Sequence, residues 1–145
     1  MAGATFLDGC AGVGAIGIEA ISRGAAFVCF VDQSRKACRM IRENLKSLEI
    51  GDGFKVLEMD LNKALDGFTS PIDIAFVDPP YDRDDIYEAV LQRFGSGTRL
   101  APGGLLVIEH SRRKELPESS GAVQQIRSLV QGDAALAFYS SLEES

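Results

Sequence analysis

The chain has 145 residues, 46% of them hydrophobic and 25% charged, a length and composition that suit one folded domain with a real core. No apolar run approaches the ~20 residues that span a bilayer, and the N-terminus lacks the basic region and apolar stretch of a signal peptide, so the expectation is a cytoplasmic protein with no membrane partner. The net charge of −6 argues against a generic nucleic-acid binder, whose surface is normally basic.

The predicted elements alternate along the chain. Thr5-Phe6-Leu7 is a short apolar strand, followed by a helix over Ala15 to Ser22 with Ile16, Ile18, Ala20 and Ile21 packed on a sheet. Gly24 ends that helix. Ala26 to Val31 is a second strand. Ser34 caps a helix running to about Ser47, with Ala37, Met40, Ile41, Leu45 and Leu48 at helical spacing. Phe54 to Glu58 and Ile72 to Val77 are the third and fourth strands. Asp84 or Asp85 caps a helix through Phe94 with Ile86, Val90 and Leu91 inward. Leu105 to Ile108 is a fifth strand after the Pro102-Gly103-Gly104 turn, and Val123 to Val130 with Ala135 to Tyr139 forms a closing hairpin. Strands alternating with helices imply a parallel sheet covered on both faces, with the antiparallel hairpin at one edge. The whole of 1–145 reads as a single α/β domain.

The loop after the first strand carries the first candidate site. Gly12, Gly14 and Gly17 satisfy the G-x-G-x-x-G spacing at a strand-to-helix junction, where a backbone must approach a ligand closely. Asp32 ends the second strand, where a carboxylate accepts hydrogen bonds from ribose hydroxyls. Asp60, after the third strand, is placed for an adenine amino group. The spacing alone does not separate a nicotinamide dinucleotide from S-adenosyl-L-methionine. Charge does: Asp8, Asp32, Asp60 and Asp78 at four strand ends repel a pyrophosphate and favour a sulfonium cation. Three scattered cysteines (Cys10, Cys29 and Cys38) and one histidine (His110) suit reduced thiols and no metal site.

The second candidate site is Asp78-Pro79-Pro80-Tyr81. Two prolines cannot continue a strand, so the chain leaves the sheet in a stiff turn. The turn presents a carboxylate, a carbonyl and an aromatic face, which together fit a planar ring with an exocyclic amine. Basic residues cluster on the second helix (Arg35, Lys36, Arg39, Arg42, Lys46) and in Arg112-Arg113-Lys114. Either group reads as a solvated face, and the latter is also placed to meet RNA phosphates.

Asp8 through Gly17, with the continuation Ile18-Glu19-Ala20-Ile21-Ser22-Arg23-Gly24-Ala25, resembles the opening of the bacterial 16S ribosomal RNA guanine-N2 methyltransferases. Asp78-Pro79-Pro80-Tyr81 resembles their amino-methyltransferase motif, and Gly132-Asp133-Ala134-Ala135-Leu136 with Tyr139 their last hairpin. The resemblance implies a Rossmann-like class I methyltransferase with a mostly parallel seven-stranded sheet. It implies S-adenosyl-L-methionine bound by Asp8, Gly9, Gly12, Gly14, Asp32, Gln33, Asp60 and Leu61, with Asp78, Pro79, Pro80 and Tyr81 holding a guanine. The implied partner is ribosomal RNA within a partly assembled small subunit, and the implied state a monomer. The few tens of residues that precede the first strand in the family, with a basic hairpin, are expected to be missing here. Three alternatives stand beside this reading. One is methylation of another planar amine, adenine N6 or a protein glutamine. Another is a cofactor-binding relative without catalysis, and the third, on the glycine spacing alone, is a nicotinamide-dependent oxidoreductase.

Overall fold

A computed structural model describes residues 1–80, 83–97 and 99–141. Twelve elements follow in order among them: β1 (Thr5–Gly9), α1 (Ala15–Ser22), β2 (Phe27–Asp32), α2 (Arg35–Ser47), β3 (Phe54–Glu58), α3 (Leu61–Asp66), β4 (Ile72–Val77), α4 (Asp84–Gly95), β5 (Leu100–Ser111), β6 (Ser119–Ser120), β7 (Val123–Gln131) and β8 (Ala134–Ser141). They build one sheet in the order β3-β2-β1-β4-β5-β8-β7-β6. The first five strands run parallel to one another. β8 pairs antiparallel with both β5 and β7. This is the class I methyltransferase arrangement, with eight strands where seven were expected. The extra strand is two residues long. Ser120 and Val123 pair across the Gly121-Ala122 turn, with Gly121 at φ +55°.

Both faces of the inner parallel strands β1, β2 and β4 are covered, which is why these read as continuous apolar runs rather than alternating ones, whereas the edge strand β3 keeps Lys55 and Glu58 exposed. Side chains still alternate between faces. Phe6, Val28 and Phe30 meet Ala20 of α1 with Ile41 and Leu45 of α2. Leu7, Cys29, Val31, Ala75 and Val77 face Leu61 and Leu65 of α3 and Tyr87, Val90 and Phe94 of α4. No helix among the described residues is long and apolar enough to cross a membrane.

Four expectations are corrected by the fold. Ile16 of α1 is exposed and Gly17 and Ala20 are the buried residues, because a helix of eight residues rests on the sheet along a narrow stripe. Leu48 is exposed, and Cys38 joins Ile41 and Leu45 in the buried stripe of α2. β5 begins at Leu100. Ile72 pairs with Leu100 and Ile74 with Leu105, so Pro102-Gly103-Gly104 loops out within the strand rather than preceding it. At α4 neither Asp84 nor Asp85 is the cap. Arg83 takes that place without a side-chain cap bond, and both acids lie in the first turn, where the helix dipole favours them. Asp84 accepts from Lys114 Nζ at 2.9 Å and Asp85 from Arg83.

Candidate active site

In a sheet ordered 3-2-1-4-5 the connections reverse direction between β1 and β4, opening a crevice at the carboxyl ends of the strands. A cavity of about 490 Å³ occupies that crevice, within the usual range for ligand sites. Its walls include Cys10, Asp32, Gln33, Asp60, Leu61, Asp78, Pro79, Pro80 and Glu109. Three separate stretches of sequence, the turn after β4 and the ends of β2 and β3, therefore share one space. Tyr81 lies outside the described residues.

The glycine loop is shaped by backbone geometry. Gly12 and Gly14 have φ of +58° and +82°, a region that side chains disfavour. A β-carbon on Gly14 would also press on Ile41 and Phe30. Cys10 adopts φ +59° without being glycine, a strained conformation of the kind found at ligand sites. Asn44 of α2 holds the loop by donating to the Val13 carbonyl at 3.0 Å. Gly9, the last residue of β1, allows Leu61 to sit closely above it.

Gly17 serves packing instead of ligand approach. Its N–H donates to Asp8 Oδ2 at 2.9 Å, and a β-carbon there would run into the Phe30 ring. Phe30 is fully buried. Gly17→Ala is expected to destabilise the fold by about 1–3 kcal/mol despite alanine's higher helix propensity. Chemical denaturation of the variant beside the parent checks this; equal or greater stability would show that the ring yields.

The carboxylates divide into two kinds. Asp32 Oδ2 accepts the Gly12 N–H and Oδ1 the Ser34 N–H, each at 2.9 Å. Those bonds tie the end of β2 to the glycine loop and leave each oxygen a second lone pair. Asp60 caps α3: its Oδ2 accepts from the Asn62 and Lys63 N–H groups at 3.1 and 3.2 Å. Both acids line the cavity. Asp8 does not. It is 2% exposed, and its carboxylate is turned beneath α1 onto Gly17. Burial, with smaller contributions from Asp32 and Asp78, pushes the Asp8 carboxyl up to about 7, although the Gly17 bond pulls the other way.

Asp78 follows β4 and stands beside Glu109 of β5. Phe76 pairs with Val107 across these parallel strands, and two residues further on, on the same face, the register brings Asp78 to Glu109. Partial burial, the charge of Glu109 and a hydrogen bond between the two carboxyls push the Asp78 carboxyl up to about 6. Beneath them the buried Tyr87 hydroxyl faces the carbonyls of both Pro79 and Glu109, at 3.5 and 3.4 Å. Glu109 was missed by sequence reasoning. Arg83, the one cation among the described lining residues, is turned to Asp85, with contacts of 3.1 and 3.0 Å.

Other chemistries find little footing. Burial and four surrounding carboxylates push the Cys10 thiol up to about 12, which removes it as a nucleophile at neutral pH. His110 is buried at a strand end, with Nδ1 2.9 Å from the Ser111 carbonyl. Among the described residues no His, Cys, Asp and Glu cluster could hold a metal ion. Of the basic run after β5, Lys114 is committed to Asp84 and lies over the Tyr87 ring at 5.2 Å. Arg112 donates to the Gly132 carbonyl at 3.2 Å. A strained glycine loop with acids at the strand ends suits an adenosine-bearing cation.

Comparison with known proteins gives the family and the fold. The model of the family described as conserved hypothetical protein 95 matches residues 1–140. YlbH of Bacillus subtilis (strain 168), named as a candidate rRNA methyltransferase, is 35% identical over 144 residues, covering 94% of this chain and 76% of its own length. Ribosomal RNA small subunit methyltransferase D of Escherichia coli (strain K12) is 31% identical over 136 residues, covering 94% of this chain and 68% of its own. A solved structure of a conserved hypothetical protein from Streptococcus pyogenes superposes with a TM-score of 0.87 at 27% identity, over 96% of this chain and 86% of that one. TrmN from Thermus thermophilus shares the fold, with a TM-score of 0.78 at 21% identity over 97% of this chain and 45% of its own. The chain belongs to the family described as conserved hypothetical protein 95, among the 16S ribosomal RNA methyltransferases.

Proposed function

We propose that this chain methylates the exocyclic N2 amine of a guanine in small-subunit ribosomal RNA, using S-adenosyl-L-methionine. The observation that carries the reading is the shared cavity: the Asp78-Pro79-Pro80 turn opens into the same space that Asp32 and Asp60 rim. That space is acidic and strained at its glycine loop, which fits a cationic nucleoside cofactor and disfavours a dinucleotide with two phosphate charges. Gly12, Asp32 and Gln33 would hold its methionine and ribose parts, Asp60 and Leu61 its adenine. Bound there, the cofactor supplies a methyl group on a sulfonium centre.

The amine of guanine is a weak nucleophile because its lone pair is delocalised into the ring. The Asp78 carboxylate accepts one N2–H and the Pro79 carbonyl the other, which draws the nitrogen toward a tetrahedral shape and localises that lone pair. Orientation and electrostatics then supply most of the rate. The new N–C bond replaces one N–H, whose proton passes to Asp78. Tyr81 is assigned to stacking on the base. A guanine reaches this depth only when unstacked from its neighbours. Ribosomal RNA in an assembling particle is the proposed partner, since proteins of the particle can supply positive charge that this chain lacks.

Calorimetric titration with S-adenosylmethionine, S-adenosylhomocysteine and a nicotinamide dinucleotide is the first test, followed by methylation of small-subunit particles and nucleoside analysis. The expected result is micromolar binding of the first two, none of the third, and N2-methylguanosine as product. Dinucleotide binding would sink the cofactor assignment. Methylated adenine or glutamine would sink the acceptor.

A further inference from the structure

We infer that Glu109 is the residue that selects guanine over other planar amines, by accepting the N1–H next to the amine held by Asp78. The inference rests on the acceptor proposed above and adds to it a residue that neither the motif nor the glycine loop contains.

The argument begins with what two adjacent carboxylates can recognise. Ionised carboxylates only accept hydrogen bonds. Asp78 and Glu109 leave neighbouring strands on the same face and line the same cavity. A ligand edge that satisfies both must therefore present two adjacent donors. Guanine does: N1–H stands next to N2–H2 on its Watson–Crick edge. Adenine presents its amine next to the N1 lone pair, and cytosine its amine next to the N3 lone pair. A glutamine amide presents its NH2 next to a carbonyl oxygen. Each of these sets a lone pair against the Glu109 carboxylate and leaves a buried acceptor unsatisfied, which is how sites built on hydrogen bonds reject analogues most strongly.

The surroundings keep Glu109 in this role. Its backbone carbonyl and that of Pro79 face the same Tyr87 hydroxyl, so the two walls of the base site share one buried post. The cation in the wall, Arg83, is paired with Asp85. Across the cavity Asp32 and Asp60 hold backbone N–H groups, and Asp8 holds Gly17. The Asp78 and Glu109 carboxyls are in hydrogen-bond contact with one another, and paired guanine donors that meet the two together would relieve the repulsion of the empty pair.

The test uses 2-aminopurine, which keeps the N2 amine and replaces N1–H by a lone pair. Small subunits are reconstituted with rRNA carrying either guanine or 2-aminopurine at the position the protein methylates, and kcat/KM is measured for each. The parent protein is expected to favour guanine strongly. In Glu109→Gln the amide NH2 can donate to N1 of 2-aminopurine, and the preference should narrow by roughly tenfold to a hundredfold, the worth of one charged hydrogen bond. The ratio does not depend on the fraction of variant that is folded. A second readout is the pH profile: with the neighbouring charge gone, the acid limb governed by Asp78 should move to lower pH. An unchanged preference in Glu109→Gln overturns the role of Glu109 and leaves guanine methylation standing. A parent protein whose product is not N2-methylguanosine overturns the proposed function itself.

Discussion

Asp78→Ala is expected to abolish methyl transfer while leaving the affinity for S-adenosylmethionine near that of the parent protein. Asp78 carries two tasks in the proposed reaction: it holds one N2–H so that the lone pair localises, and it takes the proton that the amine loses. A positioned proton acceptor is worth roughly 10²–10⁴ in rate, and a preorganised hydrogen bond to the reacting group about 3 kcal/mol. Losing both should cost at least about a thousandfold in kcat. The cofactor walls, Asp32 and Asp60, are fixed by their own backbone bonds and do not depend on Asp78. Asp78→Asn separates the tasks, because its amide oxygen still accepts a hydrogen bond and cannot take a proton at neutral pH; it should fall between the parent and the alanine variant. The pH profile of the parent follows from the same group. Its carboxyl is pushed up to about 6, so it is charged and accepting above that pH and protonated below it. Activity should fall about tenfold for each pH unit below 6. Single-turnover methylation with calorimetry in parallel decides the matter. An alanine variant that keeps a tenth of parent activity would mean that Asp78 does neither task.

What the sequence disclosed about this fold depended on burial. β4 occupies the residues expected of it because a strand covered on both faces is apolar along its length, and β3 and α1 do so because each keeps a stripe of apolar residues between polar ones and a turn at either end. The short α3 escaped notice. Six residues give barely more than one turn of periodicity, and the sequence reading proposed Asp60 as a ligand for adenine without foreseeing that it caps this helix by accepting from Asn62 and Lys63. The proposed base site was half legible. Two prolines after an apolar strand announce a rigid turn, and the turn lies in the cavity as its stiffness requires. Glu109 gave no such signal. It sits in Leu105-Leu106-Val107-Ile108-Glu109-His110, and its value comes from the pairing of β4 with β5, a long-range register that no local pattern encodes. Asp8 was legible in identity and misplaced in direction. Two residues after Phe6, it shares that residue's face and points under α1, where the loop's glycines had suggested a place beside the ligand.

Asp8→Asn is expected to stabilise the protein above neutral pH and at the same time weaken its hold on the cofactor. In the unfolded chain this carboxyl titrates near its ordinary value of 3.8; in the fold it is pushed up to about 7, chiefly by burial. A carboxyl with a raised folded pKa binds its proton more tightly in the native state. Its contribution to stability is complete below about pH 4 and is lost as pH rises through 7. A shift of about 3 units corresponds to roughly 4 kcal/mol carried as a penalty at pH 8. Asparagine keeps the shape and the oxygen that accepts from Gly17. It adds a buried NH2 that costs about 1–3 kcal/mol where unpaired. The net gain should be about 1–3 kcal/mol at pH 8 and absent or reversed at pH 4, which denaturant titrations at the two pH values read directly. Retaining an acid that destabilises the empty protein makes sense when a cation is the ligand. A sulfonium in the adjoining cavity would favour the charged form of Asp8, so binding near pH 7 should release a proton. Calorimetry in buffers of different ionisation enthalpy detects that release, and Asp8→Asn should abolish it and lower affinity more at pH 8 than at pH 5. A variant with parent-like stability at pH 8 would mean that Asp8 bears no burial penalty, and one with parent-like affinity at both pH values would mean that its charge does not serve the cofactor.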